Sequence, residues 1–86
     1  MTILTADQAL AITIDAVSSV APDVAEELPT LDRSIDFWEE LQLDSMDHLN
    51  VMTALADRTG VTIEERDYAS LRSLDAIASH LAAHST

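Results

Sequence analysis

The chain has 86 residues, a length that suits one small domain, which we expect to span residues 1–86. Its 16 acidic residues face four arginines and no lysine, and the net charge of −12 argues against binding to nucleic acids or to anionic membranes. The absence of cysteine excludes disulfides and a thiolate metal site, while the single glycine and two prolines favour helices over a β-sandwich.

The first predicted helix extends from about Ala6 to Val20. Thr5 and Gln8 stand at capping-box spacing at its start, and Pro22 follows its end because the residue before a proline disfavours helical geometry. Four apolar residues lie three or four positions apart and therefore share one stripe of the helix surface: Leu10, Ile14, Val17 and Ala21.

A long connection, residues 21–44, follows and shows no extended periodicity. Since a structureless loop of that length is unusual in a compact domain, we expect part of it to be ordered. The ordered part is predicted at residues 35–41. There Phe37 and Trp38, the chain's only phenylalanine and only tryptophan, would close the open end of the helix bundle.

The second predicted helix begins at Asp44–Ser45 and continues to Thr59, with Gly60 in the position that ends a helix. On a helical wheel its apolar arc is wider than a small core requires. Met46 and Leu49 lie at the edge of this arc, so we expect both side chains to be partly exposed.

The C-terminal part of the chain predicts a connector and two further helices. Residues 61–63 are too few for a paired strand, residues 64–70 predict a short helix, and Ser73 begins the last helix. The predicted fold class is therefore all-α: a small four-helix bundle with three principal helices, one short helix and a long first loop. The inner face of the last helix is Leu74, Ile77, Ala78 and Leu81.

Ser45 places a hydroxyl at the start of the second helix, where free backbone amides and the helix dipole can accommodate a phosphate ester. The neighbouring carboxylates of Asp44 and Asp47 oppose a free anion and instead suit a basic partner or a metal ion that a partner presents. A simpler interpretation is also open at this point, in which Asp44 or Ser45 is only the N-cap of the helix.

Residues 41–47, Leu-Gln-Leu-Asp-Ser-Met-Asp, resemble the phosphopantetheine attachment motif of acyl carrier proteins, which is usually written Asp-Ser-Leu. The order of helices, acidic loop and Val-Thr-Ile connector is similar to that family over nearly the whole chain. The resemblance implies that Ser45 carries 4′-phosphopantetheine, transferred from coenzyme A by a separate phosphopantetheinyl transferase. It also implies that the protein catalyses nothing itself and docks to partner enzymes through Asp44, Met46, Asp47 and Leu49.

Five positions depart from the usual pattern of the family. Gln42 stands where glycine is common, Met46 replaces leucine, and Asn50 stands where many fatty-acid carriers have an acid. Glu64 replaces a proline after the connector, and Tyr68 replaces a smaller residue. These differences leave the attachment motif intact but leave the cargo and the partner enzymes open.

A fatty cargo could fold back among the helices, where each buried methylene contributes about 0.8 kcal/mol. Tyr68 would narrow such a pocket, which favours a short or polar cargo. The predicted walls of this acyl pocket are Phe37, Trp38, Val51, Leu55, Ile63, Tyr68, Leu71 and Leu81.

Two other groups of residues give weaker indications of a catalytic or metal-binding site. Ser45 and His48 share a helix face, but so small a domain offers no evident cleft or oxyanion hole for a hydrolase, and His48 is better explained by contact with the core or a partner. His80 and His84 have the spacing of two zinc ligands without a convincing third, and the acidic stretches do not match an EF-hand. We therefore expect neither catalysis nor a bound metal.

The function predicted from the sequence is that of a freestanding acyl carrier protein, monomeric and cytoplasmic, since no apolar run could span a bilayer and the N-terminus lacks a basic signal. Its expected partners are the transferase and acyl-transfer, ligase or synthase enzymes with basic docking patches. A peptidyl or aminoacyl carrier of a secondary-metabolite or cell-envelope pathway is the nearest alternative. An unmodified acidic helical adaptor is the third.

Overall fold

A computed structural model describes residues 3–85 and shows an all-helical protein, with no strand in that range. The predicted fold class is confirmed. The α-helices are α1 (Ala6–Val20), α2 (Phe37–Glu40), α3 (Ser45–Thr59) and α4 (Leu74–His84). Short 3₁₀ turns lie at Pro22–Val24, Leu28–Thr30 and Glu65–Asp67. Within residues 3–85, no helix is both long and apolar enough to cross a membrane.

The ends of the three long helices are set by local hydrogen bonds that the sequence indicates. Thr5 Oγ1 accepts from the Gln8 backbone N–H at 3.1 Å, and Gln8 Oε1 accepts from the Thr5 N–H at 3.0 Å, which completes the capping box of α1. Gly60 ends α3 with a φ of 73°, the left-handed conformation that glycine adopts without steric cost. Ser73 Oγ accepts from the Ala76 N–H at 3.0 Å and begins α4.

Helix α1 packs against both α3 and α4, and two residues of the predicted stripe, Val17 and Ala21, are buried as expected. The other two, Leu10 and Ile14, are only half-buried, whereas the smaller side chains of α1 fill the buried positions. The hydroxyl of the buried Thr13 is satisfied, since it donates to the Ala9 carbonyl at 2.8 Å. The fully buried residues of α1 are Ala9, Thr13, Ala16 and Val17.

The short helix predicted at residues 64–70 is instead a single 3₁₀ turn followed by further turns, and the fourth α-helix is α2. The backbone N–H of Tyr68 donates to the Glu65 carbonyl at 3.1 Å, and that of Ser70 to the Asp67 carbonyl at 3.1 Å. The Ser70 hydroxyl donates to the same Asp67 carbonyl at 2.9 Å. This side-chain bond competes with the α-helical pattern and favours the tighter turn.

The long connection is fastened to the segment before α4 by three contacts, which we call the loop clasp. Trp38 donates its indole N–H to the Leu71 carbonyl at 3.0 Å. Phe37 donates its backbone N–H to the Arg72 carbonyl at 3.2 Å. The Arg72 guanidinium forms an ion pair with Asp36 at 2.9 Å. The ordered part of the long loop is therefore held beside the start of α3 by residues distant in sequence.

Candidate functional site

Ser45 is the first residue of α3 and is exposed. Asp44 caps the helix, because its Oδ1 accepts from the Asp47 backbone N–H at 2.8 Å. Asp47 Oδ2 in turn accepts from the Asp44 N–H at 3.4 Å. The two aspartates perform the capping, and the Ser45 hydroxyl stands outside these capping hydrogen bonds. Asp44 is therefore the N-cap, and the Ser45 hydroxyl is not used for capping.

The start of α3 fits a phosphate ester on Ser45 Oγ. The helix has 15 residues, so its dipole presents a partial positive charge at this end. The oxygen is reachable from solvent, and Asp44 does not need it for capping. A serine in this position can therefore hold a bulky phosphate-linked group without disturbing the fold.

The residues predicted to meet partner enzymes surround Ser45. Met46 is 63% exposed and Leu49 is 48% exposed, although both side chains are large and apolar. Asp44 is exposed, while Asp47 is half-buried with its carboxylate engaged in the capping box. An apolar pair beside acidic groups suits an apolar depression rimmed by basic residues. The docking role of these four residues stays a prediction.

Four rings lie side by side next to the start of α3, and we call them the aromatic row. The ring centroids of Phe37 and Trp38 are 4.2 Å apart. The imidazole of His48 stacks on Trp38 at 4.1 Å, and Tyr68 stacks on His48 at 4.9 Å. The imidazole therefore lies between two larger rings, one from α2 and one from the segment before α4.

The environment of His48 favours its neutral form. Its side chain is half-buried, and Nε2 has no hydrogen-bond partner among residues 3–85. Burial lowers the pKa of His48 below the ordinary value of 6.5, and the charge of Arg72 acts in the same direction, whereas Asp36 opposes it. Packing in the aromatic row accounts for this histidine without a role as a base toward Ser45.

The ion pair between Arg72 and Asp36 lies close to the aromatic row. The Arg72 Nε and Nη2 atoms each lie 2.9 Å from Asp36 Oδ2. Burial raises the pKa of Asp36, but the Arg72 guanidinium and the backbone N–H groups of Glu39 and Trp38 outweigh it, so the pKa lies below the ordinary value of 3.8. The Asp36 carboxylate is therefore charged near neutral pH and balances the Arg72 guanidinium.

Two shallow grooves flank Ser45, one on each side of the His48 ring. Both grooves are lined by Ser45 and His48. The first, of 370 Å³, is completed by Trp38, Glu39, Leu43, Asp44 and Arg72. The second, of 290 Å³, is completed by Met46, Leu49, Glu65 and Tyr68. An arm attached to Ser45 has either groove within immediate reach.

The eight predicted walls of the acyl pocket all belong to the hydrophobic core or pack against it. Ile63 and Tyr68 are half-buried, and the other six are buried. Within residues 3–85, the linings of the two grooves beside Ser45 include Trp38 and Tyr68 but none of the five aliphatic walls. The proposal that these walls receive an acyl chain stays a prediction, and the aliphatic walls are Val51, Leu55, Ile63, Leu71 and Leu81.

The two histidines of α4 lie together at the C-terminal end of the helix. The ring centroids of His80 and His84 are 4.4 Å apart. Among residues 3–85, no group of three or more histidine, aspartate or glutamate side chains is arranged to hold a metal ion.

The stacking partners of His48 and the position of Arg72 are the features that the sequence did not reveal. The helical wheel places His48 on the apolar arc of α3, one turn after Ser45, so its contact with the core is an expectation that the structure meets. Trp38 and Tyr68, however, come from separate connections, and no local pattern pairs them with His48.

Comparison with known proteins agrees with the geometry of this site. The sequence model of the family described as "phosphopantetheine attachment site" matches residues 14–81, a range that includes all of α2 and α3. No curated protein and no solved structure is significantly similar to the chain. Because the family match covers most of the chain, the protein belongs to the phosphopantetheine attachment site family, whose domains carry covalently attached 4′-phosphopantetheine.

Proposed function

We propose that this chain is an acyl carrier protein, which holds acyl groups as thioesters on a 4′-phosphopantetheine arm attached to Ser45. The observation that carries the proposal is the position of Ser45, which is exposed, begins α3 and takes no part in the capping hydrogen bonds. This serine also lies within the range that matches the family. The bound arm supplies the thiol that bears the cargo.

Attachment requires a hydroxyl that a separate transferase can reach. In the transfer, Ser45 Oγ forms a bond to the pantetheine-bearing phosphorus of coenzyme A, the pyrophosphate bond breaks, and adenosine 3′,5′-bisphosphate leaves. The hydroxyl proton leaves to a base of the transferase. The contribution of the carrier is to present the oxygen at a rigid helix start, where Asp44 and Asp47 fix the first turn.

The charge distribution supports partner enzymes with basic docking patches. The chain has a net charge of −12, and within residues 3–85 three of its four arginines pair with acidic side chains. Exposed acids near Ser45 therefore remain for a partner, and their attraction decays over about 8 Å at physiological ionic strength. The three internal ion pairs are Arg58 with Asp15, Arg66 with Glu64, and Arg72 with Asp36.

A loading experiment tests the attachment. Purified protein is incubated with coenzyme A and a promiscuous phosphopantetheinyl transferase, and its intact mass is measured. We expect a gain of one phosphopantetheinyl group in the wild type and none in Ser45→Ala. Ser79→Ala is the matched control, because Ser79 is also an exposed helical serine and its loss should leave loading unchanged. An unchanged wild-type mass would favour the unmodified adaptor.

The nature of the cargo needs a separate measurement. The strong acidity of the chain favours an acyl carrier over a peptidyl or aminoacyl carrier, since exposed acids suit the basic docking patches proposed for its partners. Protein isolated from its native cells and analysed by intact mass should show acyl groups on the arm. An amino acid or peptide on the arm would contradict the acyl assignment while leaving the carrier role in place.

A further inference from the structure

The route from Ser45 to the core passes the aromatic row. Ser45 and His48 lie one turn apart on α3, and the buried Met52 and Leu55 follow His48 along the same helix. A chain attached at Ser45 that turns inward along α3 therefore meets the His48 ring first. Both grooves beside Ser45 are lined by this ring, and neither reaches the aliphatic core residues among the described residues 3–85.

The spacing of the rings leaves no gap for an alkyl chain. Trp38 and His48 have centroids 4.1 Å apart, and His48 and Tyr68 have centroids 4.9 Å apart. A chain passing between two rings would have to separate them to roughly 7–8 Å, which is twice the optimal distance between carbon atoms. Direct stacking thus closes both gaps.

Two of the four rings, Trp38 and Phe37, are also held in place by burial and by a hydrogen bond. Trp38 is 3% exposed and donates its indole N–H to the Leu71 carbonyl, so a shift away from His48 would break a buried hydrogen bond. Phe37, which is fully buried, packs against Trp38 at 4.2 Å. Opening a passage on this side would therefore disturb both the core and the loop clasp.

From this geometry we propose that His48 is a specificity-determining residue, which closes the interior of the carrier to acyl chains and keeps the cargo in the surface grooves beside Ser45. The proposal rests on attachment of the arm at Ser45. Its consequence is a preference for short or polar acyl cargo. A long alkyl chain would stay exposed to water, whereas a short or polar group loses little by remaining on the surface.

A series of acyl chain lengths tests the proposal. The transferase loads the wild type with acetyl, hexanoyl, octanoyl and decanoyl pantetheine from the corresponding acyl-coenzyme A, and intact mass verifies each product. Methyl NMR spectra of Val51 and Leu55 and the melting temperature are then compared across the series. We expect both readouts to be independent of chain length in the wild type. Methyl shifts that grow with chain length would overturn the proposal.

Variants of His48 test whether its ring is what closes the interior to acyl chains. In His48→Ala the missing ring leaves a passage, so the core methyl shifts and the melting temperature should rise with chain length. His48→Phe keeps a stacked ring and should behave as the wild type. His80→Ala is the matched control, because His80 is also half-buried with an unpartnered Nε2 but lies on α4. It should also behave as the wild type.

The remaining outcomes are also decisive. A folded His48→Ala protein without chain-length dependence would overturn the proposal, as would a chain-length effect in His48→Phe. If His48→Ala does not fold, the wild-type series together with His48→Phe decides the question. Failure of all acyl groups to load would instead contradict attachment at Ser45, and the mass measurement shows this before any NMR spectrum is recorded.

Discussion

Replacing Trp38 by phenylalanine should destabilise the protein by more than the change in ring size alone. Trp38 is 3% exposed, and its indole N–H donates to the Leu71 carbonyl at 3.0 Å. Phenylalanine cannot donate, so it leaves a buried carbonyl without this partner at a cost of about 1–3 kcal/mol. The smaller ring also leaves unfilled volume in the core, so we expect a total loss of about 2–3 kcal/mol.

Urea denaturation measures this loss. Because Trp38 is the only tryptophan, its fluorescence is lost in the variant, and far-UV circular dichroism must follow unfolding instead. With a slope of about 1 kcal/mol per molar urea, the midpoint should fall by about 2–3 M. Phe37→Leu is the comparison, because Phe37 is equally buried but has no side-chain hydrogen bond to lose. If Trp38→Phe cost less than about 0.5 kcal/mol, the hydrogen bond would not stabilise the fold as argued.

Three further predictions concern backbone conformation, pH and salt. Gln42 has a φ of 56°, so Gln42→Gly should raise the free energy of unfolding by about 0.5–1 kcal/mol, while Gly60→Ala should lower it by a similar amount. Equal urea midpoints for both variants and the wild type would contradict this. The folded-state pKa of His48 is lowered, so its contribution to stability is complete above the unfolded value of 6.5 and is lost as the pH falls through the folded pKa. Unfolding free energies measured at about pH 7.5 and about pH 5.5 should therefore differ less in His48→Asn than in the wild type, and identical differences would refute the argument. Because the net charge is −12, the melting temperature should rise between about 10 mM and about 200 mM NaCl, and rise further with a divalent cation; a flat profile would show that charge repulsion is unimportant.

Helix boundaries could be predicted from the sequence because each depends on a local signal. The Thr5–Gln8 capping box, the glycine at position 60 and the serine at position 73 mark ends that the structure confirms. The buried face of α1 could not be predicted in the same way. Only part of the predicted stripe is buried, and the other buried positions hold small residues such as Ala16, which a search for large apolar side chains overlooks.

The same distinction between local signals and non-local contacts applies to the candidate site. The exposure of Ser45, Met46 and Leu49 follows from a helix start and the edge of an apolar arc, both of which are readable from the sequence. The sandwich of His48 between Trp38 and Tyr68 depends on two connections that the loop clasp and the core bring together. Such contacts are non-local, and no spacing rule within one helix contains them.

The backbone of Gln42 has a positive φ, which bears on the replacement of the usual glycine at this position. The family commonly has glycine at this position, and the left-handed conformation found there is the one that glycine adopts at no steric cost. Glutamine can adopt it at a modest cost, so the tight turn between α2 and α3 is retained. The departure therefore affects stability rather than the attachment site.

The loop clasp couples the local stability of two regions that are far apart along the chain. Trp38 and Asp36 lie in the long connection, while Leu71 and Arg72 lie just before α4. If either region detaches, it removes the contacts of the other, so the two should fluctuate together as one cooperative unit rather than fray separately. Because Trp38 also stacks on the His48 ring, which lies one turn from Ser45, detachment of the loop clasp should displace that ring as well.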